Sequence, residues 1–194
     1  MRPLILAALA ASSLFLSACE SVPKANAPAE PTYEQAQNNA FNAANYSAVA
    51  ELMKRYPAAS ASASNFGNNG GNAPFIVATL VNIDQLEQSS TLGRLISEQV
   101  ASRMTQLGYG VLELKVRNGI YMKRNEGELL LTREIKEVAT THNAQAVVVG
   151  TYAESSSFIY VNLKIVNPAT SVVIAAYDYA LPMDKQIQSL IRKR

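Results

Sequence analysis

The 194-residue sequence holds one cysteine, one histidine and only 16% charged residues. Each scarcity excludes something. Cys19 has no partner for an intramolecular disulfide, so packing has to hold the fold. A metal site of the usual kind needs several His or Cys ligands close together, and His142 and Cys19 are single. With 17 basic against 15 acidic residues, the clustered basic excess of a nucleic-acid binder is missing. No second long apolar run follows the first residues, so the rest of the chain predicts no transmembrane helix.

What is present begins at the N-terminus. Met1-Arg2 supplies a positive charge, Leu4 to Leu16 an apolar stretch, and Ser17-Ala18 small residues before Cys19. That is the pattern of a secretory signal. The apolar stretch is about 15 residues, shorter than the roughly 20 that span a bilayer. Leu16-Ser17-Ala18-Cys19 resembles the lipobox of bacterial lipoproteins. The resemblance implies cleavage between Ala18 and Cys19, with lipid on the Cys19 thiol and amine. Two or more acyl chains anchor stably, at about 0.8 kcal/mol per buried CH2. Glu20 at the next position implies the outer membrane, since lipoprotein sorting rules hold back chains with Asp there.

Residues 1–18 are thus expected to be a signal peptide. Residues 19–32 carry three prolines and little apolar bulk, and predict an extended tether. Residues 33–56 predict a helix with Phe41, Ala44, Ala48, Leu52 and Tyr56 on one weak face, stopped by Pro57. Residues 57–73 are a low-complexity linker of Ala, Ser, Asn and Gly. Gly67 to Gly71 lacks the Lys and Ser/Thr of a phosphate loop. A domain is expected over 74–183 and a short basic helix or tail over 184–194.

Inside that domain, Phe75–Ile83 predicts a buried strand. Ser89-Ser90-Thr91 predicts the cap of a helix carrying Leu92, Ile96, Val100 and Met104, closed by Gly108. Val111–Val116 predicts a second strand, and Thr132 the cap of a helix with Ile135, Val138, Ala139 and His142 on one face. Ala146–Tyr152 is almost continuously apolar and predicts a central strand. Phe158–Val166 alternates, with Phe158, Tyr160, Asn162 and Lys164 set against Ile159, Val161, Leu163 and Ile165, so one face is buried. Val172–Tyr179 is the last strand. Helix-linked strands can pair in parallel and hairpin-linked ones antiparallel. The expected fold is α/β (α+β): a small mixed sheet of about five strands with helices packed on it, preceded by the helical and low-complexity segment.

The residues supply little for catalysis. His142 falls on the apolar face of its helix, and no nucleophile-elbow sequence accompanies it. Glu126 and Glu128 flank Gly127 on a polar stretch, poor support for acid–base work. Lys115, Arg117, Lys123 and Arg124 are cations with no acid between them. These six are candidate contacts to a partner. No catalytic, cofactor-binding or metal-binding residue is expected.

Several runs carry a family resemblance: Leu92-Gly93-Arg94-Leu95-Ile96, Tyr121-Met122, Glu126-Gly127-Glu128-Leu129, Leu131-Thr132-Arg133-Glu134, Ala144 through Tyr152, and Ala175-Ala176-Tyr177-Asp178-Tyr179. They resemble the FlgO family, outer-membrane lipoproteins tied to flagellar motility, over roughly residues 74–183. The resemblance implies a non-enzymatic protein at the periplasmic face of the outer membrane, supporting the flagellum and needing no cofactor. Its implied partners are the membrane, through the lipid, and envelope or basal-body proteins, with self-association at strand edges or the 33–56 helix and no nucleic acid. The alternative is a structural or binding lipoprotein of another trans-envelope assembly, for secretion or polysaccharide export.

Overall fold

A computed structural model describes residues 30–57, 73–114 and 133–191. Residues 1–29, which hold the expected signal peptide and most of the expected tether, residues 58–72, residues 115–132 and residues 192–194 lie outside the described residues. The chain divides into a unit Met1–Ala36 and a unit Gln37–Arg194.

The helix expected over 33–56 is interrupted. A short helix α1 (Tyr33–Gln37) starts at a reciprocal cap, where the Gln35 N–H donates to Thr32 Oγ1 at 3.2 Å and the Thr32 N–H to Gln35 Oε1 at 2.9 Å. Asn39 then restarts the chain as α2 (Ala40–Arg55). Its backbone is extended, and its Oδ1 accepts from the Phe41 N–H at 2.9 Å. An Asn side chain that bonds neighbouring backbone competes with helix continuation and favours a cap. Phe41, Ala48, Val49, Leu52 and Met53 of α2 are buried, so the weak face finds its partner within its own unit.

The sheet holds six strands among the described residues. In chain order they are β1 (Phe75–Val77), β2 (Val81–Asn82), β3 (Gln85–Ser89), β4 (Ala146–Glu154), β5 (Phe158–Val166) and β6 (Val173–Pro182). β4 is central as expected: β1 and β2 pair with it in parallel on one side, and β5 antiparallel on the other. β6 pairs antiparallel with β5 and forms one edge, and β3 pairs antiparallel with β2 and forms the other. Helices α3 (Thr91–Gln106), α4 (Arg133–Thr141) and α5 (Lys185–Ile191) complete the unit.

Two strand expectations are corrected and one strand is added. Phe75–Ile83 is not one strand. Phe75 pairs with Ala146 and Val77 with Val148, but Val81 pairs with Thr151, so Ala78–Leu80 holds one residue more than the facing stretch of β4. The extra residue makes a bulge, and Leu80 is fully buried there. The Leu80 N–H donates to Ser97 Oγ of α3 at 2.8 Å instead of to a strand. That hydroxyl also lies 3.1 Å from the Ala78 carbonyl and 2.9 Å from the Gly93 carbonyl. Second, Val111–Val116 forms no ladder among its described residues. Val111 makes an isolated parallel bridge to Phe75, and Leu112 donates its N–H to the Phe75 carbonyl at 2.8 Å. Third, β3 was not expected, because Gln85–Ser89 is mostly polar. It forms as the return arm of a turn after β2.

Two glycines let the bulge sit where it does. A Cβ on Gly93 would stand 2.0 Å from the Leu80 carbonyl oxygen, and one on Gly150 would stand 2.7 Å from Leu80 Cγ and 2.9 Å from the Asn162 carbonyl oxygen. Helix and sheet therefore meet at backbone distance around Leu80. The main core spreads from this point through Phe75, Leu92, Ile96, Val100, Met104, Val148, Ile159, Leu163 and Ile165. Ring edges tie α2 to the start of the sheet, with Tyr56 5.3 Å from Phe75 and Phe75 5.7 Å from Tyr109.

As expected, Ser90 caps α3, accepting from the Gly93 N–H at 2.9 Å, and Gly108 follows it with φ 89°. Asp184 caps α5 through the Ile187 N–H at 2.8 Å. The last strand runs on through Leu181 and Pro182, beyond the expected end at Tyr179.

Gly93→Ala is expected to destabilise the protein by about 3 kcal/mol, since the new methyl meets backbone and not a movable side chain. Ser97→Ala should cost about 2 kcal/mol by leaving the buried Leu80 N–H without an acceptor. Urea unfolding of both variants beside Ser97→Thr, which keeps the hydroxyl, checks the two effects.

Candidate functional site

The alternation of β5 gives the sheet two unlike faces. Ile159, Val161, Leu163 and Ile165 point into the main core beneath α2 and α3. On the opposite face, α4 covers only one end, where Val138 and Ala139 bury Ile76, Ala78 and Val147. Beyond α4, no element among the described residues covers that face.

Strand register sorts the open face into rows. Val149, Lys164 and Ala176 form the row nearest α4. Thr151, Asn162 and Asp178 form the next, and Ala153, Tyr160 and Ala180 the last. Successive rows lie roughly 6.6 Å apart, two residues along a strand. The last two rows and Ile83 line an open groove of about 520 Å³. In it the Asn162 amide donates to Asp178 Oδ1. Tyr160 is 55% exposed and Ile83 53%. Tyr160 has only alanines beside it across both strands, so neither face of its ring is crowded by a cross-strand neighbour. Phe158 lies next along β5, its ring 6.3 Å from that of Tyr160.

The buried polar groups lie on the other side and serve packing. Tyr179 donates its hydroxyl to Asn45 Oδ1 at 2.6 Å, Asn45 donates its amide to Gln99, and Gln99 donates to Asn42 Oδ1 at 2.6 Å. The chain of bonds joins β6, α2 and α3. Burial pushes the Tyr179 phenol well above its ordinary pKa. Tyr152 donates to Ser90 Oγ at 2.7 Å, tying β4 to the cap of α3, and burial raises its pKa too.

His142 is half-buried just past α4, its N–H donating to the Val138 carbonyl at 3.0 Å. Among the described residues no group of three or more His, Cys, Asp or Glu could hold a metal ion. Cys19, Ala18 and the candidate contacts Lys115, Arg117, Lys123, Arg124, Glu126 and Glu128 lie outside the described residues. The groove was not among the sequence candidates. Its signal was the polar half of the β5 alternation, which places Tyr160 and Asn162 together, but Thr151 and Asp178 join them only through register.

The family model described as FlgO protein matches residues 46–186, well over half of the chain. The chain belongs to the FlgO family. Among curated proteins none matches it. Among solved structures it is remotely similar to the LpoB C-terminal domain from Salmonella enterica, with 14% identity and a TM-score of 0.49, covering 73% of this chain and 98% of that one. The LpoB C-terminal domain from Escherichia coli has 10% identity and a TM-score of 0.48 over the same shares. Lipoprotein GNA1162 from Neisseria meningitidis has 15% identity and a TM-score of 0.44, covering 59% of this chain and 83% of that one. The FlgO match takes in the C-terminal half of α2, from Tyr46, as well as the sheet. Gly93 and Gly150, which make room for the bulge, fall within runs that carry the FlgO resemblance.

The Tyr179 network predicts an alkaline signature. The folded state holds the phenol neutral while the unfolded chain ionises near pH 10. Its stabilisation is therefore complete below pH 10 and is lost as the pH rises above it. Tyr179→Phe should cost about 1 kcal/mol at neutral pH. It should also make the fall in stability above pH 10 shallower, by at most about 1.4 kcal/mol per pH unit. Urea unfolding at pH 7 and above pH 10 checks both effects, and equal slopes in the two proteins would contradict the second.

Proposed function

We propose that this FlgO-family protein is a non-enzymatic lipoprotein, anchored through Cys19 to the periplasmic face of the outer membrane, where it supports assembly or stability of the flagellum and hence motility. The family match over residues 46–186 carries the reading. The signal pattern before Cys19 supports the anchor independently, because it lies outside the matched region. Residues 19–32 would act as the tether, with a flexible-chain span on the order of 20 Å, lengthened by proline. The folded unit would then stand just off the lipid surface.

A scaffolding role suits the chemistry. The buried Asn45 and Ser97 side chains and the Tyr179 phenol are engaged in packing bonds, and the groove offers a phenol, an amide, a hydroxyl and one carboxylate without a base beside a nucleophile. The partners proposed are envelope or basal-body proteins, with Lys115, Arg117, Lys123, Arg124, Glu126 and Glu128 as contacts, and further copies of the chain.

A clean deletion should abolish or reduce swimming. The wild-type gene should restore it and the Cys19→Ser gene should not, because the variant reaches the periplasm without its lipid. Normal swimming in the deletion strain removes the flagellar role. Full rescue by Cys19→Ser removes the need for the anchor.

A further inference from the structure

We propose that the open face of β4, β5 and β6 is a binding site for a neutral, N-acetylated amino-sugar chain. The inference rests on the groove alone and does not depend on the flagellar role.

The ligand class follows from what the face can and cannot offer. β5 is paired on both sides, so its backbone N–H and C=O groups are engaged within the sheet. A ligand lying across this face has to be recognised by side chains, which disfavours an added peptide strand. The three rows carry one carboxylate, Asp178, and one ammonium, Lys164, so the face has no net charge to attract a polyanion or a strongly basic segment. Ile83, Ala153, Tyr160 and Ala180 form an apolar patch that borders the polar row of Thr151, Asn162 and Asp178, so a ligand that fits must offer an apolar face and hydrogen-bonding groups side by side.

What remains matches a sugar chain. Tyr160 presents an exposed ring with alanines on its flanks, room for the apolar face of a pyranose to stack. One pleat away stands a row of hydroxyl-reading groups. Asn162 commits one amide hydrogen to Asp178, which fixes both side chains. That leaves the Asn162 carbonyl and second amide hydrogen, the other Asp178 oxygen and the Thr151 hydroxyl as alternating donors and acceptors. Neighbouring sugar hydroxyls need this combination. Ile83 and Ala180 line the same groove and give an acetamido methyl apolar surface to rest on. The groove, about 520 Å³, lies in the range of sites for small ligands.

The test uses the full lipidated chain in a sugar-free detergent, titrated with chitotetraose and followed by calorimetry. Saturable binding is expected. Tyr160→Ala and Asp178→Ala should each weaken it at least about tenfold, with unchanged thermal unfolding, while Leu86→Ala, an exposed apolar residue outside the groove, should leave it as in wild type. Cellotetraose, which lacks the acetamido group, and tetragalacturonate, which is anionic, should bind more weakly. The absence of saturable binding, or binding that survives both groove substitutions, overturns the site. Equal binding of cellotetraose overturns the N-acetyl preference, and tighter binding of tetragalacturonate overturns the neutral class.

Discussion

Helix α3 and the sheet meet at Leu80, and much of the fold depends on how closely they can approach there. The bulge at 78–80 turns Leu80 into the core, and backbone lies against it on two sides. Gly93 admits its carbonyl and Gly150 admits its side chain. Ser97 takes the hydrogen bond that the bulge removes from the ladder. These features are coupled. Without the glycines the helix would have to lift from the sheet, and without the serine a buried N–H would lose its partner. Interiors are packed too densely to absorb a displaced helix at one point only. Val81 and Asn82 also take their register with β4 from this bulge.

Around that contact the sheet is clad unequally. The inner face is closed by α2, α3 and α5, and a buried polar chain from Tyr179 through Asn45 and Gln99 to Asn42 sets the position of α2 against β6 and α3. Every member has partners, which makes such a network specific and costly to disturb. Among the described residues the outer face receives only α4, at the β1 end. The division of labour follows from size: α4 is a nine-residue helix and can cover only part of a sheet whose central strands are each nine residues long. The uncovered remainder is where exposed aromatic and polar side chains stand together on rigid strands. Sites on strands hold their geometry better than sites on loops.

The family runs acquire physical content here. Leu92-Gly93 brings the glycine on which Leu80 rests. Ala144 through Tyr152 brings the central strand, Gly150, and the Tyr152 hydroxyl that reaches the Ser90 cap. Ala175 through Tyr179 brings the buried phenol and, on the other side of the same strand, Asp178 of the groove. One sequence run thus serves the core and the open face together, because successive strand residues point to opposite sides.

The sequence by itself determined the elements that follow from local chemistry. The cap at Ser90, the central apolar strand, the alternation of β5 and the mixed sheet could each be derived from a few neighbouring residues, as could the expectation of a lipid anchor at Cys19. The division of α1 from α2 was also local, in the Asn38-Asn39 pair, but an Asn side chain chooses between helix and cap only when the flanking packing is set. The tertiary structure alone decided the break at Leu80, the isolated bridge at Val111, and β3. Each rests on a partner distant in sequence: Ser97 for Leu80, Phe75 for Val111, and the edge of β2 for β3. The groove is of the same kind. Thr151, Asn162 and Asp178 come from three strands, and only hydrogen-bond register, fixed by hairpins and a buried face, places them in one row.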